Sequence, residues 1–565
     1  MAGAVRVLSP GGAFVLHKTD GALLFAARAA LAMALAGLPM VAAGQAQLAV
    51  YGMLGAFTTT FGRNLPYRRR ARVLAVVAVA MTACVGGGSA LAAWARPQAG
   101  GAGAAVVVAA TAVVAGLAKF ACDASRLGGL GAVLLLFAFA VAANGAPAPD
   151  DVLVRTGLAA AGAGVAWVLS LAGRLWHPDR PQRLAVATAL RTVAELVEAP
   201  GAGHGGGRTR HRATVAVVEA YHCLGLVPRA ADGQGARGGV CVRLADFSWS
   251  LLIASAGRAP DEPAALVRSL RRQAGLLADR RSRVPVLLAE LSLPAAGTSR
   301  GAAPAGPART DPAARRAAEL VGRRPGGSGR VSVLVVPALR MVLGTALAGG
   351  LAVALGLGHG YWAAISAAAV LHSVNVRTTA QRAVQRTLGT FAGLLVALGL
   401  LAVHPGPAAL AVLIVLLEFL LEYVVVRNYG LGVVFLTPLA LLLSDLAVPE
   451  PAGELVVERA LGSVLGIVVG LLCALVVVHD RAAVRVERAL AACTSAAERV
   501  ERVVADGSRV SAPGVQLELA VAVVELREAD DAAAGELWPA GVDPAALATA
   551  EQRAYRLLER LAGPT

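Results

Sequence analysis

Residues 331–356 read VSVLVVPALRMVLGTALAGGLAVALG, an apolar run interrupted by one charge, Arg340. At a rise of 1.5 Å per residue, a helix of this length crosses a bilayer. Residues 21–44, GALLFAARAALAMALAGLPMVAAG, read the same way around Arg28, 312 positions earlier. A charge at the centre of a membrane helix costs about 2.5 to 3.5 kcal/mol on insertion scales, so such residues are rare and usually functional. Further arginines keep the register. Arg68 and Arg72 follow the second apolar stretch of the first half, and Arg382 and Arg386 follow its counterpart, each 314 positions on. Arg126 and Arg427 precede the fifth stretches, and Arg155 and Arg459 open the sixth. The recurrence implies a duplicated six-span unit and a basic path between its halves.

Composition agrees with a polytopic membrane protein. The chain has 565 residues, 57% of them hydrophobic, and a mean hydropathy of +0.65, too apolar for an ordinary soluble protein. The net charge of +16 does not point to nucleic acid, because its arginines gather in loops on one side, as the positive-inside rule requires. Only Lys18 and Lys119 are lysines, a bias that makes arginine placement more informative than arginine number. The six cysteines, Cys84, Cys122, Cys223, Cys241, Cys473 and Cys493, show no CxxC spacing and imply neither a zinc site nor a disulfide framework. The run 21–44 carries Arg28, lacks a clean cleavage site and is followed at once by another apolar stretch, so it is expected to be a retained span.

Spans are expected at about 21–44, 46–62, 71–94, 103–122, 128–145 and 153–174, then at about 331–356, 361–375, 386–403, 408–426, 429–448 and 459–478. Arg63, Arg68, Arg69, Arg70 and Arg72 fill one loop, Lys119 and Arg126 the next on that side, and Arg377, Arg382, Arg386 and Arg427 their counterparts. The alternate loops end in Asp150–Asp151 or hold Glu450 and Glu454. Both termini and the central region should therefore face the cytoplasm. Six spans return the chain to its starting side, so the halves form a parallel repeat about an axis along the membrane normal. The expected domains are 1–176 and 331–478 as six-span repeats, 177–330 as a cytoplasmic helical insert, and 479–565 as a cytoplasmic helical tail. Amphipathic helices are expected in the insert at 183–199, 213–227, 263–278 and 284–292, and in the tail at about 481–505, 514–530 and 544–562. The Gly, Pro and Ala-rich stretches 200–209, 229–239 and 294–313 read as linkers.

Arg340 lies about nine residues into its span, roughly 14 Å deep, and Arg28 about seven, roughly 10 Å. Each could snorkel to the headgroups or grip an anion in a wet cavity, for which the permanently charged, bidentate guanidinium is suited. Arg382 and Arg386 share a helix face at the inner mouth, as do Arg68 and Arg72. Glu418 and Glu422, also four apart, are the main intramembrane acids and have no acidic counterpart in the first half. They read either as a proton-coupling pair or as a structural ion pair with a neighbouring arginine. His372 reads as a helix-end residue, and His359 and His404 fall in loops, with no metal spacing. Gly389–Gly393 and Gly466–Gly470 have the GxxxG spacing of close helix contacts. There is no GxxxxGK[ST] loop and no nucleophile–base set, so neither ATP hydrolysis nor an enzyme is expected, and no cofactor or metal is implied.

The stretch Tyr361-Trp362-Ala363-Ala364-Ile365-Ser366, then Val376-Arg377-Thr378, Arg382 and Arg386-Thr387-Leu388-Gly389-Thr390 with Gly393, resembles the fusaric acid resistance (FUSC) family of membrane transporters. Glu422, Arg427-Asn428-Tyr429, Thr437-Pro438-Leu439, Glu458-Arg459 and Gly462 continue the likeness. The first half departs from it: Val50-Tyr51 stands near the Tyr-Trp position, no Gly-Thr follows Arg72, and Thr-Pro is missing from span five. The resemblance implies a bacterial inner-membrane protein linked to export of aromatic carboxylic acids. Its six-span unit is also similar to that of plant aluminium-activated malate channels, in which basic residues line an anion path.

The expected fold is therefore an all-α membrane protein of about twelve spans, two parallel six-helix repeats with a helical insert and tail. The expected function is efflux of small organic anions, aromatic carboxylates foremost, driven by the proton gradient. Arg340, Arg382 and Arg386 would attract the anion, faced by Arg28, Arg68 and Arg72, while Glu418 or Glu422 carries the proton. A passive anion channel and a non-transporting scaffold are the alternatives. The expected partners are the lipid bilayer and the anion, with no nucleic acid; homo-oligomerisation and an envelope partner stay open.

Overall fold

The computed structural model describes residues 21–63, 65–97, 101–125, 127, 131–145, 147–198, 204–225, 235–254, 263–279, 281, 286–288, 291, 328–373, 376–449, 451–476, 481–505, 512–533 and 542–562. Arg126, most of the stretch 284–292 and all of 294–313 lie outside them. No strand occurs among the described residues. A chain of apolar runs in lipid has to satisfy its backbone within helices.

Twelve apolar helices follow the expected stretches. They are α1 (Ala22–Ala42), α2 (Ala46–Ala56), α3 (Tyr67–Ala95), α4 (Gly101–Ser125), α5 (Gly131–Ala143), α6 (Asp151–Trp176), then α11 (Ser328–Ala354), α12 (Tyr361–Leu371), α13 (Val376–Leu401), α14 (Pro407–Val424), α15 (Tyr429–Ala447) and α16 (Ala452–Val476). Nine of them are long and apolar enough to cross a membrane. The stretches 46–62, 128–145 and 361–375, read as full spans, instead give the short helices α2, α5 and α12. An 11-residue helix such as α12 rises only about 16 Å, half the hydrocarbon thickness. The α-helix stops early because α2 tightens into a 3-10 turn at Phe57–Thr60 and α12 is capped at His372.

The short helices are the interior of the membrane part. Every residue of α12 is buried, as is nearly all of α5 and all of α2 from Ala49. A helix apolar all round belongs in a core. The long helices wrap it and turn leucine and valine stripes outward: Leu339, Leu343, Leu347 and Leu351 on α11, Leu461, Val464, Val468 and Leu472 on α16. Small residues let the backbones touch. A Cβ on Gly162 would sit 2.0 Å from the Gly52 carbonyl oxygen, and one on Gly466 would sit 2.2 Å from that of Ala363. Helix pairing crosses the halves: α1 packs on α14, and α4 on α11.

The remaining helices build a second core. These are α7 (Arg180–Glu198), α8 (His204–Gly225), α9 (Gly235–Ala254), α10 (Pro263–Ala278), α17 (Arg481–Ala505), α18 (Ala512–Ala533) and α19 (Pro544–Ala562). Leu190, Val217, Leu244 and Leu270 of the insert meet Val500, Leu526 and Leu558 of the tail in one cluster. Thr214 Oγ1 and Tyr555 Oη, 3.2 Å apart, join the two segments, and Arg210 stacks 5.0 Å over the Tyr555 ring. Two linker readings are corrected. The stretch 200–209 opens helix α8 from His204, and 229–239 opens helix α9 from Gly235. Their glycines hid helices whose apolar faces, Val240, Cys241, Leu244, Trp249 and Leu252 in α9, are buried by neighbours. The helix expected at 284–292 is absent at residues 286–288.

Burial pushes the Cys223 and Cys241 thiols up to about 12 and that of Cys493 to about 11. The reactive thiolate is then scarce at neutral pH. Maleimide at pH 7.5 is expected to leave all three unlabelled in the folded protein and to modify them after denaturation, read by mass spectrometry of the digested chain. Rapid labelling before unfolding would show that this second core is not closed.

Candidate functional site

Helix α14 carries Glu418 and Glu422 on one face, one turn apart, at 1% and 3% exposure. Its packing on α1 and on the 3-10 turn places three groups around Glu422. Thr60 Oγ1 donates to Glu422 Oε1 at 2.7 Å. Arg28 of α1 and Arg63 after the turn lie within electrostatic reach of the same carboxylate. Both guanidiniums stand over the Phe25 ring, at 4.7 and 4.1 Å from its centre. Arg28 Nε and Nη2, Arg63 Nη1 and Nη2 and Glu418 Oε2 are buried without a hydrogen bond. Arg63 was not singled out in the sequence, where it is one of five arginines in a single loop.

The equivalent crossing of α4 on α11 has a different chemistry. Lys119, 4% exposed, pairs with Asp123 at 2.8 Å and donates to the His372 carbonyl at 3.3 Å. Arg340 Nη2 donates to the Ser373 carbonyl at 3.1 Å. These cations meet the carbonyl end of α12, where the helix dipole is negative and carbonyls lack helical partners. Arg382 is in electrostatic reach of Lys119 and stands 5.5 Å over the Tyr429 ring.

Arg386 of α13 is 1% exposed, and none of its three guanidinium nitrogens has a hydrogen bond or ion pair among the described residues. Arg459 of α16, also 1% exposed, lies within its electrostatic reach. The Arg459 guanidinium stands 4.0 Å over the Trp362 ring, and its Nε and Nη1 are unpaired. Trp362 Nε1 and Tyr429 Oη are buried donors without partners on the neighbouring α12 and α15. Leaving a buried guanidinium unpaired costs several kcal/mol even after relaxation, roughly, so two such groups together are not expected from packing alone. The surroundings are aromatic: Trp362 stacks on Phe137 of α5 at 6.1 Å, and the Tyr361 ring lies tilted against it at 4.5 Å. The motif recurs weakly in the first half, where Arg155 stands 4.8 Å over Tyr51 but has Asp151 at 3.8 Å.

Arg68 and Arg72 are exposed on α3. Helix α3 starts at Tyr67, and this phase buries Arg70 instead, which donates to the Gly62 and Arg63 carbonyls at 3.1 and 2.6 Å. The structure therefore gathers Arg386 with Arg459, Arg340 with Lys119 and Arg382, and Arg28 with Arg63 and Glu422. It does not bring Arg68 and Arg72 to Arg386. Arg459, read in the sequence as opening a span, is the principal addition. Among the described residues no group of three His, Cys, Asp or Glu side chains is placed to hold a metal ion.

Residues 346–477 match the family described as fusaric acid resistance protein-like. The resemblance read from the Tyr361 to Gly462 motifs holds for that part of the chain. A 198-residue segment is 33% identical to the uncharacterized membrane protein YvaC of Bacillus subtilis (strain 168). That match covers 34% of this chain and spans about a third, 31%, of the relative's length. No solved structure matches. The chain is thus a multi-pass helical membrane protein whose second apolar half is fusaric acid resistance protein-like.

Proposed function

We propose, from the family match over 346–477, that the chain is a bacterial inner-membrane transporter that exports small organic anions, aromatic carboxylates foremost, on the proton gradient. The observation that carries this reading is Arg386, a fully buried guanidinium with no partner on any nitrogen among the described residues. A desolvated cation with five unused donors is a seat for an anion. The rings of Trp362, Tyr361 and Tyr429 suit a flat apolar body beside the carboxylate. Arg340 and Arg382, at the carbonyl end of α12, and Arg28, on the Glu422 side, form the approach; exposed Arg68 and Arg72 draw anions to the mouth.

The twelve apolar helices are read as two parallel six-helix units, residues 1–176 and 331–478. Matching pairings support this: α2 on α6 as α12 on α16, and α3 on α5 as α13 on α15. Helices that stop near mid-depth are characteristic of transporter sites. The loop charges orient both termini, the insert 177–330 and the tail 479–565 toward the cytoplasm. Glu422, set between Thr60, Arg28 and Arg63, and Glu418 beside it carry the proton.

Uptake of labelled carboxylates into liposomes, with and without an imposed pH gradient, tests the reading. Gradient-stimulated uptake is expected, and Arg386→Gln should reduce it about tenfold or more, since losing one side of a buried charge contact costs about 2 kcal/mol or more. No flux of any anion through folded protein would overturn it. The Arg28, Arg63 and Glu422 group also resembles a static ion network, which favours a passive channel as the second reading; flux indifferent to the gradient would select it.

A further inference from the structure

The charge count of the buried site specifies more than the sign of its ligand. Arg386 and Arg459 sit within electrostatic reach of each other on the packed helices α13 and α16, both at 1% exposure. The acid next in sequence, Glu458, is turned away. Its carboxylate accepts from the Gly358 and His359 backbone N–H groups at 3.2 and 3.0 Å and meets His359 Nδ1. No carboxylate among the described residues forms an ion pair with either guanidinium, and Arg459 has only the Trp362 ring face against it. The first unit shows the compensated version. There Arg155 has Asp151, whereas the position equivalent to Asp151 in the second unit is Leu455, buried at 1%. The register partner of Arg386 is Arg72, which is exposed to solvent.

Two like charges in a dry site repel as well as being desolvated. A monoanion relieves one and leaves the other. A ligand with two negative charges relieves both and gives each guanidinium a carboxylate-type partner for its forked donors. We propose that the second unit alone holds a single site for a dianionic diacid, one acidic group on Arg386 and the other on Arg459, with the Trp362 ring as its wall. The proposal rests on the organic-anion reading and narrows it to a charge class. Arg459 stands over one side of the site and Tyr429 Oη supplies a further unused donor.

The test is calorimetric titration of the purified full chain at pH 7.5 with matched pairs of equal shape: isophthalate against 3-carbamoylbenzoate, and glutarate against glutaramate. Within each pair the diacid is expected to bind about tenfold or more tightly, the lower range for a close buried charge contact. Arg459→Gln should erase that preference by weakening the diacid about tenfold, whereas Arg386→Gln, which removes the seat itself, should weaken diacid and monoacid alike. Arg459→Lys, which keeps the charge, should retain part of it, and Arg155→Gln should leave it intact. Melting temperatures near wild type confirm that the variants are folded. Equal affinities within both pairs, binding of neither, or a preference that survives Arg459→Gln overturns the dianion site. Monoacid flux in liposomes alongside equal affinities would overturn this inference and leave transport standing. A diacid preference without any flux would do the reverse.

Discussion

Gly466→Val protein is expected to unfold in detergent well below the wild-type temperature, with a loss of about 3 kcal/mol or more, the upper range for overpacking a tight contact. A Cβ at this position would lie 2.2 Å from the Ala363 carbonyl oxygen and 2.8 Å from Ser366 Cβ. The first of these is backbone, held in the hydrogen bonds of α12, and cannot swing aside as a side chain would. Helix α12 also has no room to retreat, because all eleven of its residues are buried. The only relief is to part α12 from α16, which would separate Trp362 from Arg459. Close approach through small residues is the main source of helix affinity in lipid, where burying apolar surface brings no gain. Gly399→Ala is the control. Nothing lies within 4 Å of a Cβ there, so it should unfold at or above the wild-type temperature, since alanine is favoured over glycine inside a helix by about 0.5 to 1 kcal/mol. Thermal unfolding followed by circular dichroism decides, and a Gly466→Val protein as stable as wild type would show that the crossing is loose.

That contact also marks how far the sequence could be read. Apolar runs near 20 residues announce their helices because lipid leaves the backbone no other choice, and α15 runs from Tyr429 to Ala447 against an expected 429–448. The lengths of α2, α5 and α12 were not legible. Apolar composition says that a segment avoids water, not whether lipid or protein surrounds it, so buried half-length helices read as spans. Arg386 stood out because its spacing from Arg382 recurs in register at Arg68 and Arg72, and the Glu418–Glu422 pair because acids inside an apolar helix are conspicuous. Arg459 reads as opening its span in register with Arg155, and beside Glu458 that position does not say which of the two side chains turns inward. The structure separates them: neighbours on a helix point about 100° apart, so Glu458 caps the 358–359 turn while Arg459 enters the core. For the same reason the run Arg68-Arg69-Arg70 could not name its buried member until the start of α3 at Tyr67 set the phase.

Glu422→Gln is expected to remove gradient-driven uptake, at least about 100-fold, in the range lost when a positioned proton-transfer group is deleted, while shifting the melting temperature little. Glutamine fills the same volume and still accepts from Thr60 Oγ1, which now bonds Glu422 Oε1 at 2.7 Å. What it loses is the exchangeable charge between Arg28 and Arg63. A static ion network predicts the opposite pattern. Removing the carboxylate would strand two buried guanidiniums over Phe25 and lower stability by about 3 to 5 kcal/mol, with the gradient dependence of any remaining flux unchanged. Adding Arg63→Gln to Glu422→Gln separates the two further. In a static network the double variant regains stability, since the stranded charge is gone; in a proton-coupled site it stays as uncoupled as Glu422→Gln alone. Liposome flux with and without the gradient, measured beside thermal unfolding for both variants, distinguishes a carboxylate that moves protons from one that only balances charge.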